Sequence, residues 1–376
     1  MRKVFTAKHM IMIGLTPVSL LLIFLGRNSA FFAEQIYAKH IYKFVSQIVS
    51  LITGLIPFSI AELLVAALPV ILLILLADFI RKLVINKEDR KERIAKAILN
   101  ILCSLSILLF AYTLLGGLNY YRYTFSTYSN LEIRESSVEE LYSLTKSLAQ
   151  EAVVFRDAIT SIDDNGVFKL SGSFRQLKKE ATKAFKKLAE EYTILEGFYG
   201  APKPVLASKL MSTTETTGIF FPFTMEANVN IDIPDFTIPH TMLHEMAHLR
   251  GFMREDEANF IGYLAGMKSD SIEFKYSSTM HALIHAGNAL YRKDPDKYFE
   301  IRELYTEGMI KDLRHNSDYW AKYDDTVIST VSNKINDTYL KANAQADGVQ
   351  SYGRMLDLLL AEYRKKQEEA NKGNSK

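Results

Sequence analysis

Five consecutive residues, His244-Glu245-Met246-Ala247-His248, have the types and the spacing that zinc chemistry requires. In a helix, His244 and His248 lie four residues apart on one face. Two imidazoles at that spacing can bind one Zn²⁺, and Glu245 between them can reach a water at the open coordination position. The pattern predicts a metal-dependent peptidase in which Glu245 acts as the general base.

A catalytic zinc site usually has three protein ligands, so a third ligand is expected close by. Carboxylates follow in the segment 254–260, after Gly251, where a positive φ would let the chain turn sharply. Glu255 is the first choice, because Asn259 follows it at i+4 and would orient one of the histidines. Glu257 is the alternative. A purely structural explanation also exists, since acidic residues favour a helix N-terminus through the helix dipole.

Other residues with chemical potential carry weaker signals. His281 and His285 are also four residues apart, but no carboxylate lies between them. They are interpreted as helix-packing histidines rather than a second metal site. An oxyanion donor is expected from a Tyr, His or Arg side chain, without an assignment. The candidates are Tyr339, Tyr352, Arg314 and His315.

The elements around the motif are predicted from periodicity and capping signals. Ser137 and Glu140 form a capping-box pattern at the start of a helix, and a second helix covers 174–192. Short strands are expected at 219–223 and 227–233, just before the motif helix. An edge strand at that place would align an extended peptide by main-chain pairing. The chain beyond about residue 275 is predicted to be helical almost to its end.

Three apolar runs near the amino terminus are long enough to cross a bilayer. They cover about 10–26, 59–80 and 95–117, each near the ~20 residues that a membrane helix needs. The first run is interpreted as an uncleaved anchor, because no small-x-small cleavage site follows it. The stretch 31–58 carries charges and is expected to form an interfacial helical hairpin.

Loop charge predicts the orientation of these helices. The loop 81–93 holds six Lys and Arg residues, against three in the loop between the first two runs. Positively charged loops stay in the cytoplasm, so the amino terminus is expected inside and everything after about residue 118 outside. The net charge of +2 gives no argument for a nucleic-acid partner. With one cysteine, Cys103, the chain has neither an internal disulfide nor a cysteine-based zinc site.

Three segments resemble one family of bacterial membrane proteins. The motif region 244–260, the upstream segment 223–228 and the downstream segment 348–353 are similar to the family called domain of unknown function 3810. The three amino-terminal apolar runs fit the same family, so the resemblance covers nearly the whole chain. This family brings no established activity with it.

A broader resemblance concerns the third ligand. Glu255-x-x-Ala258-Asn259 is similar to the E-x-x-A-[D/N] helix of gluzincin-type peptidases, whose leading glutamate is the third zinc ligand. The resemblance therefore implies Glu255 rather than Glu257. The short gap between His248 and Glu255 departs from that pattern and is more like the metzincin spacing with its glycine bend.

These observations combine into one interpretation. The fold class is α+β and mostly helical, with a three-helix membrane anchor (1–118), a zincin-like extracytoplasmic domain (119–364) and a disordered tail (365–376). The function is hydrolysis of peptide bonds with Zn²⁺ bound by His244, His248 and Glu255, acting on a peptide or protein substrate at a lipid bilayer. The alternative is a membrane-tethered zinc- or peptide-binding sensor or scaffold without turnover. An intramembrane protease is disfavoured, because the motif lies among polar segments rather than within an apolar run.

Overall fold

The computed structural model describes residues 5–85, 89–343 and 354–374. Within these ranges the chain is mostly helical and has one small three-stranded sheet, as the sequence predicts. Apolar residues at helical spacing explain the helices that surround the motif, because each buries one face against the others. The motif helix lies near the centre of this core.

Three helices are long and apolar enough to cross a membrane, which confirms the three predicted runs. They are α1 (Ala7–Asn28), α3 (Ile60–Ile85) and α4 (Arg90–Leu115). Little of their apolar surface is covered by protein, since the buried shares of their apolar windows are 11%, 0% and 17%. Such helices can satisfy every backbone polar group internally in hydrocarbon, so a bilayer is the environment that this surface suits.

The segment between α1 and α3 differs from the expected hairpin. A π-helix (Phe32–Tyr42) runs directly into α2 (Lys43–Gly54). No glycine or proline interrupts 32–53, so nothing in the sequence breaks the helical path. Tyr42 is buried in a cluster with Leu118 and Leu249. This cluster crosses the boundary at residue 118 that the sequence suggests, and it joins the π-helix to the motif region.

The remaining helices build the main core around the motif. Ser137 and Glu140 form the predicted capping box, with N–H···O distances of 3.1 Å in both directions. The second predicted helix is also present. In chain order the helices are α5 (Phe125–Ser129), α6 (Val138–Asp157), α7 (Phe174–Glu191), α8 (Ser208–Thr213), α9 (Ile238–Leu249), α10 (Glu255–Met267), α11 (Ile272–Lys293), α12 (Pro295–Arg302), α13 (Glu307–Trp320) and α14 (Val327–Ala342).

The sheet has the order β1-β3-β2. Its central strand β3 (Glu226–Asn230) pairs in parallel with β1 (Lys203–Val205) and antiparallel with β2 (Gly218–Phe221). The two strands expected from the sequence are present but shorter than predicted. β1 was not predicted, because three residues that include Pro204 are too short for a periodic signal. β2 is an edge strand.

The sheet is attached to the amino-terminal end of α3 by the buried side chain of Glu226. Its carboxylate accepts hydrogen bonds from the backbone N–H groups of Ile60 at 3.1 Å and Ala61 at 2.8 Å, and it pairs with Lys203. A carboxylate at this position compensates the positive end of the helix dipole. The sheet therefore lies directly against one end of a candidate membrane helix.

The structure of the carboxyl-terminal tail differs from the sequence prediction. The segment 365–376 was expected to be disordered, but α15 (Met355–Asn374) runs through it, and residues 375–376 lie outside the described ranges. The tail is rich in strong helix formers, and Lys366 pairs with Glu362 at i, i+4 over 3.5 Å. Arg364 anchors the helix by donating to Glu140 at 2.9 Å.

Candidate metal centre

The two motif histidines lie on one face of α9, as the spacing predicts. His244 Nε2 and His248 Nε2 are 3.0 Å apart, and the two rings are nearly perpendicular. Pro239 in the first turn suits a helix start, since the missing N–H would have no partner there. Almost every residue of α9 is buried, so the helix is fixed from all sides. The histidine pair is thus presented by a rigid element.

Glu255 completes the cluster from the first turn of α10. Its Oε2 lies 3.2 Å from His244 Nε2 and 3.6 Å from His248 Nε2. The ligand atoms of the three residues all lie within 4.8 Å of one another. Gly251 has φ of +86°, a conformation that suits glycine, and this lets the chain reverse between α9 and α10. The short segment between His248 and Glu255 is therefore long enough to bring the Glu255 carboxylate to the two histidines.

Glu257, the alternative third ligand, lies elsewhere. Its carboxylate accepts from the backbone N–H of Phe125 at 2.8 Å and from Arg254 at 3.2 Å. It thus compensates the start of α5 rather than joining the two histidines. Of the two carboxylates considered, only Glu255 is in position.

The outer nitrogens of both histidines are held by hydrogen bonds. His244 Nδ1 lies 2.7 Å from Asn259 Oδ1, and His248 Nδ1 lies 2.8 Å from the carbonyl oxygen of Phe252. Both partners are acceptors, so each Nδ1 donates and each Nε2 is left to bind a cation. The orienting role expected for Asn259 matches this geometry.

Charge in the cluster also fits a divalent cation. Burial raises the pKa of Glu255, but the nearby His248 and His244 outweigh burial and lower it overall. Burial lowers the pKa of His248, but Glu255 outweighs burial and raises it to about 9. Two imidazole nitrogens and one carboxylate oxygen form a ligand set of catalytic zinc sites, whereas Ca²⁺ prefers ligands that are all oxygen. The residues present therefore fit zinc.

Glu245 directly follows His244 on α9, and its side chain faces β2. A Cβ built on Gly218 would lie 2.5 Å from Glu245 Oε1, so only glycine allows this approach. Glu245 Oε2 is buried and finds no hydrogen-bond partner among the described residues. Burial raises the pKa of Glu245, which brings a carboxylate closer to the range of an effective general base. Glu245 Oε2 can therefore accept a hydrogen bond from a water or a ligand.

A groove of about 670 Å³ lies over the cluster. Residues of α9, of the edge strand β2 and of α14 line it. The free edge of β2 can pair with an extended chain, as an edge strand does in β-augmentation. The arrangement thus combines a cation-binding cluster, a candidate base and a place for a peptide backbone.

Three more histidines line the same groove. The rings of His240 and His281 stack at 3.8 Å, and His285 lies 4.7 Å from His281. The sequence interpretation of His281 and His285 as packing histidines omits their contact with the groove. His240 was missed, although it lies four residues before His244 on the same helical face. Burial lowers the pKa values of His240 and His281 well below the usual value, so both rings are neutral.

The four candidate oxyanion donors are found in different places. Tyr339 lines the groove, and its hydroxyl accepts hydrogen bonds from Tyr112 and Tyr120 at 3.1 Å each. Arg314 and His315 lie on α13 and are not among the residues that line the groove. Tyr352, together with the downstream segment 348–353, lies outside the described residues.

Comparison with known proteins gives one result. Neither the curated proteins nor the solved structures include a match to this chain. The model of one protein family matches residues 37–360, a range that includes the second half of the π-helix, two of the candidate membrane helices and the cluster of His244, His248 and Glu255. The chain therefore belongs to the family described as "Protein of unknown function (DUF3810)".

Proposed function

We propose that this chain is a membrane-anchored, zinc-dependent peptidase with its active site outside the cytoplasm. The observation that carries the proposal is the convergence of His244, His248 and Glu255, with Glu245 next to His244 on the same helix. The groove supports it, because the edge of β2 lies beside Glu245 and offers main-chain pairing to an extended peptide.

The roles of the residues follow from their positions. His244, His248 and Glu255 would hold the metal, while Asn259 fixes the orientation of His244. Bound zinc would supply Lewis-acid chemistry, which acidifies water and polarises a carbonyl. Glu245 accepts the proton of the attacking water as the new C–O bond forms, and it then passes this proton to the amine, which leaves as the peptide C–N bond breaks.

The location rests on loop charge. The basic segment 81–93 spans the end of α3 and the start of α4, and the positive-inside rule keeps it in the cytoplasm, so α4 leads outward and the metal-ligand cluster follows it. With one cysteine in the whole chain, the part beyond α4 needs no disulfide in an extracytoplasmic compartment.

The deciding experiment compares the full wild-type chain with Glu245→Gln in lipid nanodiscs, at matched zinc content. The substitution removes the base but leaves the three ligands, so cleavage of a mixed peptide library is expected to fall about 10²–10⁴-fold. Glu196→Gln, the same change at an exposed position, is the control and should cleave at the wild-type rate.

Two outcomes would contradict the proposal. One is a Glu245→Gln chain as active as the wild type. The other is a zinc-loaded wild type that cleaves no member of the library, which would favour the zinc- or peptide-binding scaffold.

A further inference from the structure

The groove over the metal-ligand cluster reaches the end of a candidate membrane helix. Tyr112 and Gly116, at the carboxyl end of α4 and just after it, both line the groove. α4 begins with basic residues up to Lys96, and Tyr112 follows sixteen residues later. At 1.5 Å per residue this separation is about 24 Å, against a hydrocarbon core of about 30 Å. With Lys96 at one boundary of the core, Tyr112 lies within about 6 Å of the other boundary, near the level that tyrosine favours.

The edge strand β2 runs from the metal-ligand cluster toward this level. At one end, Gly218 lies against Glu245, as shown by the 2.5 Å that a Cβ would leave. At the other end, Pro222 packs against the end of α4, since a Cβ on Gly116 would lie 3.4 Å from its side chain. The four residue steps from Gly218 to Pro222 span about 13 Å of extended chain. A peptide paired with β2 would thus pass from the cluster to the bilayer surface within a few residues.

The side chains along the groove change character in the same direction. The end distant from α4 is polar, with Ser332 of α14 donating to the carbonyl of Thr214. The end near α4 carries the contacting rings of Phe221 and Phe223. On α14, the side chain of Ile335 is 64% exposed. Exposed apolar side chains grouped in this way mark a contact with lipid or with an apolar ligand.

Exposed apolar side chains also lie beside the start of α3. Glu62, in the first turn of α3, accepts from the backbone N–H groups of Leu206 and Ala207 at 2.9 and 2.7 Å. Leu206 is 77% exposed, and Leu55, just before α3, is 84% exposed. The ends of α3 and α4 that meet the rest of the protein thus both carry exposed apolar side chains. A bilayer surface that contacted both helix ends would lie next to the α4 end of the groove.

We infer that the groove takes a peptide segment that emerges from the membrane, within a few residues of the anchor of another membrane protein. This inference rests on the proposed peptidase function and names its substrate class. The apolar end of the groove contacts the residues next to the anchor, and the scissile bond lies over the metal-ligand cluster, about 13 Å of extended chain further out.

The test uses a substrate that contains its own control. A single transmembrane anchor carries six identical copies of one peptide sequence in tandem, and it is reconstituted with the full wild-type chain in liposomes. Every copy has the same sequence and shares the same membrane, so only its distance from the bilayer differs. Mass spectrometry of the products gives the cut position. Cuts in the copy nearest the bilayer are expected to exceed those in the distal copies by about 10-fold or more. Uniform cutting along the array, or preference for distal copies, would overturn the inference and leave the peptidase proposal intact.

A binding measurement separates the two proposals when no cleavage occurs. The zinc-loaded Glu245→Gln chain is mixed with the same array, which carries one photo-crosslinking residue in either the nearest or the most distal copy. Cross-linking from the nearest copy alone would support the substrate class even though the peptidase proposal had failed. Equal cross-linking from both positions, or none from the nearest copy, would overturn it.

Discussion

Arg122 and Glu34 form a buried ion pair that joins two distant parts of the chain. The guanidinium donates to both carboxylate oxygens, at 2.8 Å from Nε and 2.9 Å from Nη2. Glu34 lies on the π-helix, whereas Arg122 follows α4. Arg122 also donates to the carbonyl of Arg250, which lies just after α9. A two-point contact of this kind fixes orientation as well as distance. The π-helix is thereby held against the end of α9.

Substitution of Glu34 by Gln should destabilise the protein strongly. The change leaves the Arg122 charge buried without its partner, and breaking one side of a buried pair costs about 3–5 kcal/mol. The measurement is the thermal unfolding midpoint of the full chain in detergent, with Glu132→Gln, an exposed position, as the control. Equal midpoints for Glu34→Gln and wild type would show that the pair does not stabilise the fold.

Removal of one motif histidine should abolish metal binding. The purified full chain is expected to contain about one zinc ion, and His248→Ala should retain almost none, because two protein ligands do not form a catalytic-type site. His285→Ala is the matched control, since it also removes one imidazole from an i, i+4 pair and should keep the zinc. Metal content is measured by plasma mass spectrometry. Full zinc retention in His248→Ala would refute the site.

A methyl group on Gly218 should impair cleavage without releasing zinc. The added carbon would lie 2.5 Å from Glu245 Oε1 and 2.8 Å from Thr241 Cγ2, so the strand or the base must shift. A misplacement of about 1 Å near the reacting atoms lowers rates by about 100-fold. Gly14→Ala, at a position with nothing within 4 Å, should change neither quantity. Unchanged peptide cleavage by Gly218→Ala would argue against close approach of β2 to the base.

Orientation in the membrane can be tested with reporters. A reporter that is active only outside the cytoplasm should work when fused after residue 376 and fail when inserted in the loop 81–93. A cytoplasm-specific reporter at the same two places should give the reverse pattern and serves as the control. Activity of the first reporter in the basic loop would overturn the orientation.

Acid should destabilise the folded state partly through protonation of His285. Burial, with a smaller contribution from Arg292, lowers the pKa of His285 to about 4, against 6.5 in the unfolded chain. Above pH 6.5 both states are neutral at this residue. Between pH 6.5 and 4 only the unfolded state takes up the proton, so stability falls as the pH falls and levels off below 4.

The variant His285→Gln should lose less stability than the wild type between pH 7 and pH 5, by about 1–2 kcal/mol. Both chains are first stripped of metal, so that zinc release at low pH does not contribute. The comparison uses denaturant midpoints at the two pH values. An identical pH dependence in both chains would mean that His285 does not titrate in this way.

Local features of the site were predictable from the sequence. His244, His248 and Glu255 are separated by one helical turn and one glycine bend, so their convergence follows from α-helical geometry and a positive φ. The position of Asn259 follows in the same way, because it lies one turn beyond Glu255. Short-range periodicity is sufficient for such features.

Contacts between distant segments were not predictable. The π-helix packs on the motif region through residues far apart in sequence, and its own pattern reads equally well as an interfacial helix. The stacking of His240 on His281 depends on how α9 and α11 pack, which no local spacing encodes. The same reason explains why the sequence does not predict that α15 continues through 365–374, since the helix is anchored by Glu140, more than two hundred residues earlier.

The hydroxyl of Tyr42 has a consequence for any attempt to divide this protein. It donates to the carbonyls of His248 and Leu249, the last two residues of α9, at 3.3 and 3.2 Å. These helix-end carbonyls have no partner within the helix itself. Cleavage of the chain just after α4 would separate Tyr42 and Glu34 from the motif region. The isolated carboxyl-terminal part would therefore lack two contacts that support the end of α9.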